Sequence, residues 1–133
     1  MNKIKIIALI GKSAAGKDAI MQKMVSLCPS LHEIISCTSR PMRENERHGI
    51  NYYYYSDKEF EEKIKRSEMF EYTSFNGWFY GTSFDSIKPE AVNIGVFNPE
   101  GIRTLLSRDD LDVIIVEVRA ADKERLLRQL NRQ

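Results

Sequence analysis

A glycine-containing loop near the N-terminus lies between an apolar run and a helical pattern. The apolar run covers residues 4–10 and predicts a buried strand, and the helical pattern begins near residue 17. The loop reads Gly11-Lys12-Ser13-Ala14-Ala15-Gly16-Lys17. When a strand, a glycine loop and a helix follow one another, backbone N–H groups and the positive end of the helix converge on anionic oxygens. This order therefore predicts a phosphate-binding loop at the end of a strand.

Lys17 makes this prediction more specific. Its ammonium group can lie against the β- and γ-phosphates of a nucleoside triphosphate and neutralise their charge in the ground state and the transition state. The glycines leave room for the backbone to approach the phosphates. We expect the triphosphate to contact the loop and the first helical turn, through Gly11, Lys12, Ser13, Ala14, Ala15, Gly16, Lys17, Asp18 and Ala19.

Asp18 occupies the position at which such a loop usually carries Ser or Thr, whose hydroxyl binds Mg²⁺. An aspartate can hold this metal through its carboxylate or through a bound water, because Mg²⁺ prefers oxygen ligands and keeps several waters. Alternatively, Asp18 is simply an acidic residue in the first turn of a helix, where its charge faces the favourable end of the helix dipole. The sequence leaves both interpretations open.

The composition favours one globular domain and argues against a highly charged partner. The chain has 133 residues, and its 20 Lys and Arg against 19 Asp and Glu give a net charge of +1. No overall field therefore favours nucleic acid or a membrane surface. Cys28 and Cys37 are too few for a disulfide framework and lack metal-ligand spacing, which is typical of a cytoplasmic protein. The N-terminal apolar run is too short to span a membrane.

The first half of the chain predicts one helix, one short strand and a charged loop. The helix is expected over residues 17–27, with Ile20, Met24 and Leu27 on one face, and Pro29 follows its end. A short strand is expected over residues 33–37. The following residues, up to Gly49, lack an apolar period and are rich in charge, so we expect a loop there.

Residues 38–82 are expected to form a mainly β insertion. Residues 52–55 predict a strand, and a helix capped by Ser56 or Asp57 is expected to extend to about residue 66. Two short strands over residues 69–72 and 78–80 are joined through Asn76-Gly77, a strong hairpin signal.

The last third of the chain returns to alternating strands and helices. Buried parallel strands are expected over residues 91–97 and 113–118, with a helix over residues 100–106 between them and a last helix from about residue 121. We therefore expect a single domain with a three-layer α/β/α parallel sheet, built from residues 1–37 and 83–133. In such a sheet ligands bind at the carboxyl ends of the strands, and the insertion would overhang that edge.

The motifs that follow the first helix resemble those of the guanylate kinase family in order and spacing. They are Ser36, Thr38-Ser39-Arg40-Pro41, Arg43, Gly49 with Tyr52, Phe70-Glu71-Tyr72, Gly77 and Tyr80-Gly81-Thr82. Together with the glycine loop, the resemblance covers residues 4–132. It implies a P-loop nucleoside monophosphate kinase, with ATP and Mg²⁺ as cofactors and the nucleotides ATP and GMP or dGMP as partners.

The resemblance also implies roles for individual residues of the insertion. Arg40 and Arg43 would grip the phosphate of GMP, to which guanidinium groups are suited. Glu71 would accept hydrogen bonds from the guanine ring N–H and amino group, which adenine does not offer as an adjacent pair. The GMP-binding residues implied in this way are Ser36, Arg40, Arg43, Tyr52, Glu71, Tyr80, Thr82 and Asn98, with Tyr52 and Tyr80 on the phosphate and Thr82 on the guanine carbonyl.

Two departures from the family pattern concern the end of the chain and the base site. The family has Asp-x-Asp before a Gln-Gly pair, whereas this chain has Asn98 in a Val-Phe-Asn-Pro-Glu-Gly segment, so a charge near the base is lost. The sequence ends at Gln133, where family members continue into an arginine-bearing lid. Arg125, Arg128 and Arg132 share one face of the last helix. They are either phosphate-clamping arginines or a solvated basic face.

The expected reaction is transfer of the γ-phosphoryl group of ATP to GMP or dGMP, catalysed mainly by charge and positioning. The catalytic residues implied are Lys17, Arg40, Arg128 and Arg132. Without a lid, nucleotide binding is expected to survive better than turnover. The alternatives are a kinase for another monophosphate or a phosphorylated sugar, and a catalytically weak guanylate-kinase-like binding module.

Overall fold

The computed structural model describes residues 3–12 and 15–131. In chain order its elements are β1 (Ile4–Ile10), α1 (Lys17–Leu27), β2 (Leu31–Glu33), β3 (Cys37–Thr38), β4 (Tyr53–Tyr54), α2 (Asp57–Lys65), β5 (Met69–Phe75), β6 (Trp78–Ser83), β7 (Val92–Val96), α3 (Pro99–Leu106), β8 (Leu111–Glu117) and α4 (Asp122–Asn131). A single 3-10 turn, Phe84–Ser86, follows β6. No helix in this described part of the chain is long and apolar enough to cross a membrane.

The main sheet is parallel and has the strand order β2-β7-β1-β8. Because successive side chains of a strand point to opposite faces, β1 contributes to two cores. Ile6 and Ala8 pack with Ile102 and Leu105 of α3 on one face. Leu9 packs on the other face, in a second core that includes Met21 of α1. The sheet therefore lies between helices, and the three-layer α/β/α prediction is confirmed.

A second sheet of four strands has the order β4-β3-β6-β5 and overhangs the carboxyl end of the main sheet. Its β5–β6 hairpin turns at Asn76 and Gly77, whose φ angles of 52° and 81° are both positive, as a tight primed turn requires. Helix α2 begins with a capping box between Ser56 and Glu59, and its buried Phe60 stacks on the sheet. The predicted hairpin and cap are confirmed.

The structure corrects the predicted inner face of the first helix. The bounds of α1 agree with the prediction, but Ile20 is 42% exposed and Leu27 is 73% exposed. Met21 is the buried residue of the helix, and Met24 and Val25 pack beside it. The spacing of the apolar residues was compatible with either face, and the packing of α1 on β2 and β7 selected Met21.

Two strand predictions are also corrected. Residues 33–37 do not form one strand, because Glu33 ends β2 in the main sheet and Cys37 begins β3 in the second sheet. The later strand β8 is parallel as predicted, but it is not buried on both faces. Among the described residues, β8 pairs with β1 alone and lies at the edge of the sheet, and Ile114 is 61% exposed. The hairpin strands β5 and β6 extend beyond their predicted ends.

Candidate active site

The two glycines of the glycine loop, Gly11 and Gly16, both occupy positions that favour glycine. Gly16 precedes α1 with a φ of 100°, a left-handed conformation that favours glycine. A Cβ atom built on Gly11 would lie 2.4 Å from the carbonyl oxygen of Val118, so this position also excludes a side chain. The Lys17 Nζ donates a 2.6 Å hydrogen bond to the carbonyl oxygen of Gly11, so the side chain folds back toward Gly11. Two predicted contacts, Ser13 and Ala14, lie outside the described residues.

One cavity of about 1300 Å³ joins this loop to the second sheet. Its volume exceeds that of the usual pocket for one small ligand, which is about 300–1,000 Å³. The cavity is therefore large enough for two nucleotides that meet at their phosphates. The predicted site residues on its wall are Gly11, Lys12, Ala15, Lys17, Asp18, Ser36, Tyr52, Glu71, Tyr80 and Asn98. Gly16, Ala19, Arg40, Arg43, Thr82 and Arg128 are predicted site residues that are not part of the wall.

Glu71 is a buried carboxylate on the cavity wall. It lies on β5, is 7% exposed, and accepts a 2.9 Å hydrogen bond from Thr82 Oγ1 on β6. Burial raises the pKa of Glu71 to about 7, and the Thr82 hydroxyl opposes this rise in pKa. Thr82 is completely buried and its hydroxyl proton points to Glu71. Its contact in this structure is therefore with the carboxylate, behind the cavity wall.

Asn98 has both ends of its amide engaged. Its Oδ1 accepts a 2.8 Å hydrogen bond from the N–H of Gly101 and thereby caps α3. Its Nδ2 donates a 2.7 Å hydrogen bond to Thr73 Oγ1, which links α3 to β5. Thr73 was not identified from the sequence, since a lone threonine on a strand carries no functional signal. Asn98 thus lies at the cavity but serves the scaffold that holds Glu71.

Arg40 lies directly behind the cavity wall rather than on it. Both Nη atoms donate 3.0 Å hydrogen bonds to the two carboxylate oxygens of Glu46, and the guanidinium lies 5.5 Å from the centre of the Tyr52 ring. Glu46 and Tyr52 both line the cavity, and Arg40 itself is 7% exposed. Burial alone would raise the pKa of Glu46, but the hydrogen bonds from Arg40 and from the backbone of Arg43 lower it to about 2.

The sequence did not point to Glu46, although this residue forms hydrogen bonds with Arg40 and with the backbone of Arg43. The signal available was the density of opposite charges in the loop after Arg40, which does not say which pair forms. Arg43 is exposed, and its backbone N–H rather than its guanidinium contacts Glu46. Tyr52 and Tyr80 both line the cavity, and their ring centres are 6.1 Å apart.

The arginines of α4 approach the glycine loop to different extents. Arg128 Nη1 lies 3.4 Å from a Cβ atom built on Gly16, and this arginine also pairs with Glu124 at 3.8 Å. Arg125 lines the cavity and forms an ion pair with Asp122. Arg132 lies outside the described residues. Arg128 is thus beside the loop, where a basic residue was predicted.

Asp18 lies in the first turn of α1, is exposed, and lines the cavity beside Lys17. A single carboxylate at this place fits Mg²⁺, which is commonly held by one or two carboxylates together with substrate phosphates and water. Within residues 3–12 and 15–131, no group of three or more His, Cys, Asp and Glu side chains could hold a metal ion alone. The donor set therefore suits a metal that arrives with a nucleotide.

Comparison with known proteins places these features in one family. The guanylate kinase family model matches residues 3–133. The chain is 37% identical to a guanylate kinase of Nostoc sp. over 62% of its own length and 42% of that protein. It is 28% identical to a guanylate kinase of Prochlorococcus marinus over 96% of its own length and 72% of that protein.

A solved structure agrees with the fold. The chain matches the crystal structure of guanylate kinase from Anaplasma phagocytophilum with a TM-score of 0.74 and 20% sequence identity, over 98% of this chain and 67% of that one. At this identity the likeness concerns the fold. The chain spans 42% and 36% of the lengths of the guanylate kinases from Nostoc sp. and Symbiobacterium thermophilum that it matches. From the family match over nearly its whole length, the chain belongs to the guanylate kinase family.

Proposed function

We propose that this chain transfers the γ-phosphoryl group of ATP to a phosphate oxygen of GMP or dGMP. The bond between the γ-phosphorus and the oxygen of ADP breaks, and a new phosphorus–oxygen bond forms on the acceptor. The observation that carries this proposal is that Lys17 and Glu71 line the same cavity, one suited to a triphosphate and the other to guanine. The side chains of the site would bind and orient the two nucleotides, and none of them has to act as a nucleophile.

The donor side of the proposed site is the glycine loop. Its backbone N–H groups and the start of α1 would bind the phosphates of ATP, and Lys17 would neutralise the charge on the transferring group. Arg128, beside Gly16, would add a second positive charge from α4. Asp18 would hold Mg²⁺, which supplies charge neutralisation across the phosphates when it is bound.

The acceptor side is built by the second sheet. Tyr52 and Tyr80 would donate their hydroxyls to the phosphate of GMP, with Arg40 behind Tyr52 and Arg43 on the exposed loop as the positive charges. Glu71 would accept two hydrogen bonds from guanine, which selects against adenine. Thr82 would act through Glu71, and Ser36 and Asn98 would complete the polar wall.

We further propose that residues 1–37 and 83–133 form a core that carries the phosphate-binding loop, while residues 38–82 form the insertion that binds the monophosphate. The grouping of the second sheet around β3 to β6 supports this division. Action in the cytoplasm is also a proposal. It is supported by Cys28 and Cys37, which are both free thiols.

The test is to incubate the chain with ATP, Mg²⁺ and one acceptor, and to separate the products by chromatography. We expect GMP or dGMP to give equal amounts of ADP and the guanine diphosphate, and AMP or ribose 5-phosphate to give far less. If ribose 5-phosphate were turned over faster than GMP and dGMP, the substrate would be a sugar phosphate instead of guanylate. GMP that raises the melting temperature without forming diphosphate would identify a binding module instead.

A further inference from the structure

Glu46 holds Arg40 through both of its carboxylate oxygens. Arg40 Nη1 donates to Glu46 Oε1 and Nη2 donates to Oε2, each at 3.0 Å, which is the bidentate geometry in which the guanidinium cannot rotate independently. The two side chains are 8% and 13% exposed. Because water has little access, this pair is far less screened than a surface ion pair.

The same carboxylate also shapes the loop between the two arginines. Glu46 Oε1 accepts a 2.9 Å hydrogen bond from the backbone N–H of Arg43, and the backbone N–H of Glu46 donates a 3.0 Å hydrogen bond to the carbonyl oxygen of Arg43. Arg43 is therefore held in a turn whose closing group is Glu46. One side chain thus fixes the guanidinium of Arg40 and the backbone of Arg43.

The remaining donors of Arg40 suit a phosphate. Of its five N–H groups, two donate to Glu46 and a third donates to the carbonyl oxygen of Pro41 at 3.0 Å. The N–H on Nε and the second N–H on Nη2 donate to neither of these acceptors, and they form the second edge with which a guanidinium can bind an anion. The guanidinium also lies 5.5 Å and 5.9 Å from the ring centres of Tyr52 and Tyr54, which limits its movement away from the cavity.

We propose that Glu46 is a positioning residue that orients Arg40 toward the phosphate of the acceptor nucleotide. This inference rests on the proposed function, since it assumes that the acceptor phosphate binds beside Tyr52 and Tyr80. Glu46 binds the Nη edge of the guanidinium, so the Nε edge is the one with which Arg40 would meet the phosphate behind Tyr52. The negative charge of Glu46 faces the same cavity and would repel a phosphate. Glu46 therefore favours phosphate binding only while Arg40 neutralises the carboxylate.

The opposite role would be competition, in which the acceptor phosphate displaces Glu46 from Arg40. Displacement would leave a carboxylate that is 13% exposed without its cation, and a buried unpaired charge is costly. The hydrogen bond from Arg43 would also have to break or to hold the displaced carboxylate in place. The structure therefore favours a Glu46 that stays bound to Arg40 when the phosphate arrives.

A double-mutant cycle with GMP and guanosine tests the proposal by calorimetric titration. Glu46→Gln keeps the size of the side chain and removes its charge. We expect this substitution to lower the affinity for GMP by about 10-fold or more, because Arg40 loses its fixed orientation. The affinity for guanosine should change little, since guanosine lacks the phosphate. Glu44→Gln, the same substitution at an exposed position of the same loop, is the matched control and should leave both affinities unchanged.

The decisive arm places the substitution in an Arg40→Ala background. If Glu46 acts through Arg40, Glu46→Gln there should leave GMP affinity equal or improved, since the unpaired carboxylate repels the phosphate. The same loss in both backgrounds would show that Glu46 only maintains the loop, and would overturn the proposal. Tighter GMP binding by the single Glu46→Gln variant would overturn it in favour of competition.

Folding and the proposed function are separated by two further measurements. Glu46→Asp retains the charge on a shorter side chain, so it should recover part of the GMP affinity, and it replaces Glu46→Gln in the cycle if the latter does not fold. Failure of the unsubstituted chain to bind GMP would overturn both the function and this inference. GMP binding by the unsubstituted chain together with an additive cycle would overturn the inference alone.

Discussion

Thr82 Oγ1 on β6 donates a 2.9 Å hydrogen bond to Glu71 Oε1 on β5, and both side chains are buried. The two residues are paired across the hairpin, so the strand register itself brings the hydroxyl to the carboxylate. Glu71 faces the cavity with a pKa raised to about 7 by burial, although Thr82 opposes the shift. Its protonation state is therefore variable in the pH range in which the protein would act.

The first prediction is that guanosine binding weakens as the pH falls through 7. Only the ionised Glu71 can accept two hydrogen bonds from guanine. Below the Glu71 pKa of about 7, the affinity for guanosine should therefore fall by up to about 10-fold per pH unit. Calorimetric titration from pH 8 to pH 5.5 measures this, and guanosine avoids the titration of a nucleotide phosphate. Glu71→Gln should bind weakly with a flat profile, and a flat profile in the unsubstituted protein would contradict the role of Glu71.

The second prediction concerns stability. The pKa of Glu71 rises from an ordinary value of 4.5 to about 7 on folding, so between these values the folded state binds more protons than the unfolded state. The free energy of unfolding should therefore fall as the pH rises from 4.5 to 7, and the penalty is complete above 7. Removing it by Glu71→Gln should stabilise the protein at pH 8 by about 1–3 kcal/mol.

Urea denaturation at pH 4.5 and pH 8 checks the second prediction. The increase in the free energy of unfolding caused by Glu71→Gln should be largest at pH 8. It should be smaller at pH 4.5, where the buried carboxyl is protonated in the unsubstituted protein. Glu61→Gln on the exposed face of α2 is the control and should show no such pH dependence. A gain that is equal at both pH values would mean that the charge of Glu71 is not the cause.

The third prediction is that Lys17→Met lowers kcat by about 10²–10³-fold, since one charge-stabilising donor is lost from the transition state. The melting temperature should change little, because the hydrogen bond from Lys17 to the Gly11 carbonyl is only partly buried. Steady-state kinetics and thermal unfolding give the two readings. Lys23→Met, on an exposed face of the same helix, is the matched control. Unchanged turnover by Lys17→Met would refute the phosphate role of the loop.

The fourth prediction is that Gly101→Ala lowers the affinity for guanosine. A Cβ atom at this position would lie 3.0 Å from Glu71 Oε2 and 3.3 Å from Asn98 Oδ1, so the carboxylate would have to move by a few tenths of an ångström. Overpacking of this kind costs roughly 1–3 kcal/mol. The affinity for ATP should not change, because the glycine loop is elsewhere in the cavity. Unchanged ATP binding therefore serves as the control that the variant is folded. Equal guanosine affinity before and after substitution would show that Glu71 tolerates the shift.

Local sequence patterns predicted the elements with good accuracy where a short-range rule applies. The bounds of α1, the cap at Ser56 and the turn at Asn76-Gly77 all follow from residues within a few positions of one another. The strand-loop-helix order predicted the phosphate loop for the same reason. Patterns failed where burial depends on a distant neighbour, as for Leu27 of α1 and Ile114 of β8, which are both apolar and exposed.

The sequence by itself determined the parallel α/β class, the glycine loop with Lys17, and the family to which the motifs belong. These depend on periodicity, glycine geometry and motif order, which are local properties of the chain. The tertiary structure alone decided that Glu46 pairs with Arg40, that Asn98 bonds to Thr73, and that Glu71 is buried enough to titrate near neutral pH. Hydrogen-bond partners and desolvation depend on which side chains meet after the two sheets assemble, and no spacing along the chain encodes that.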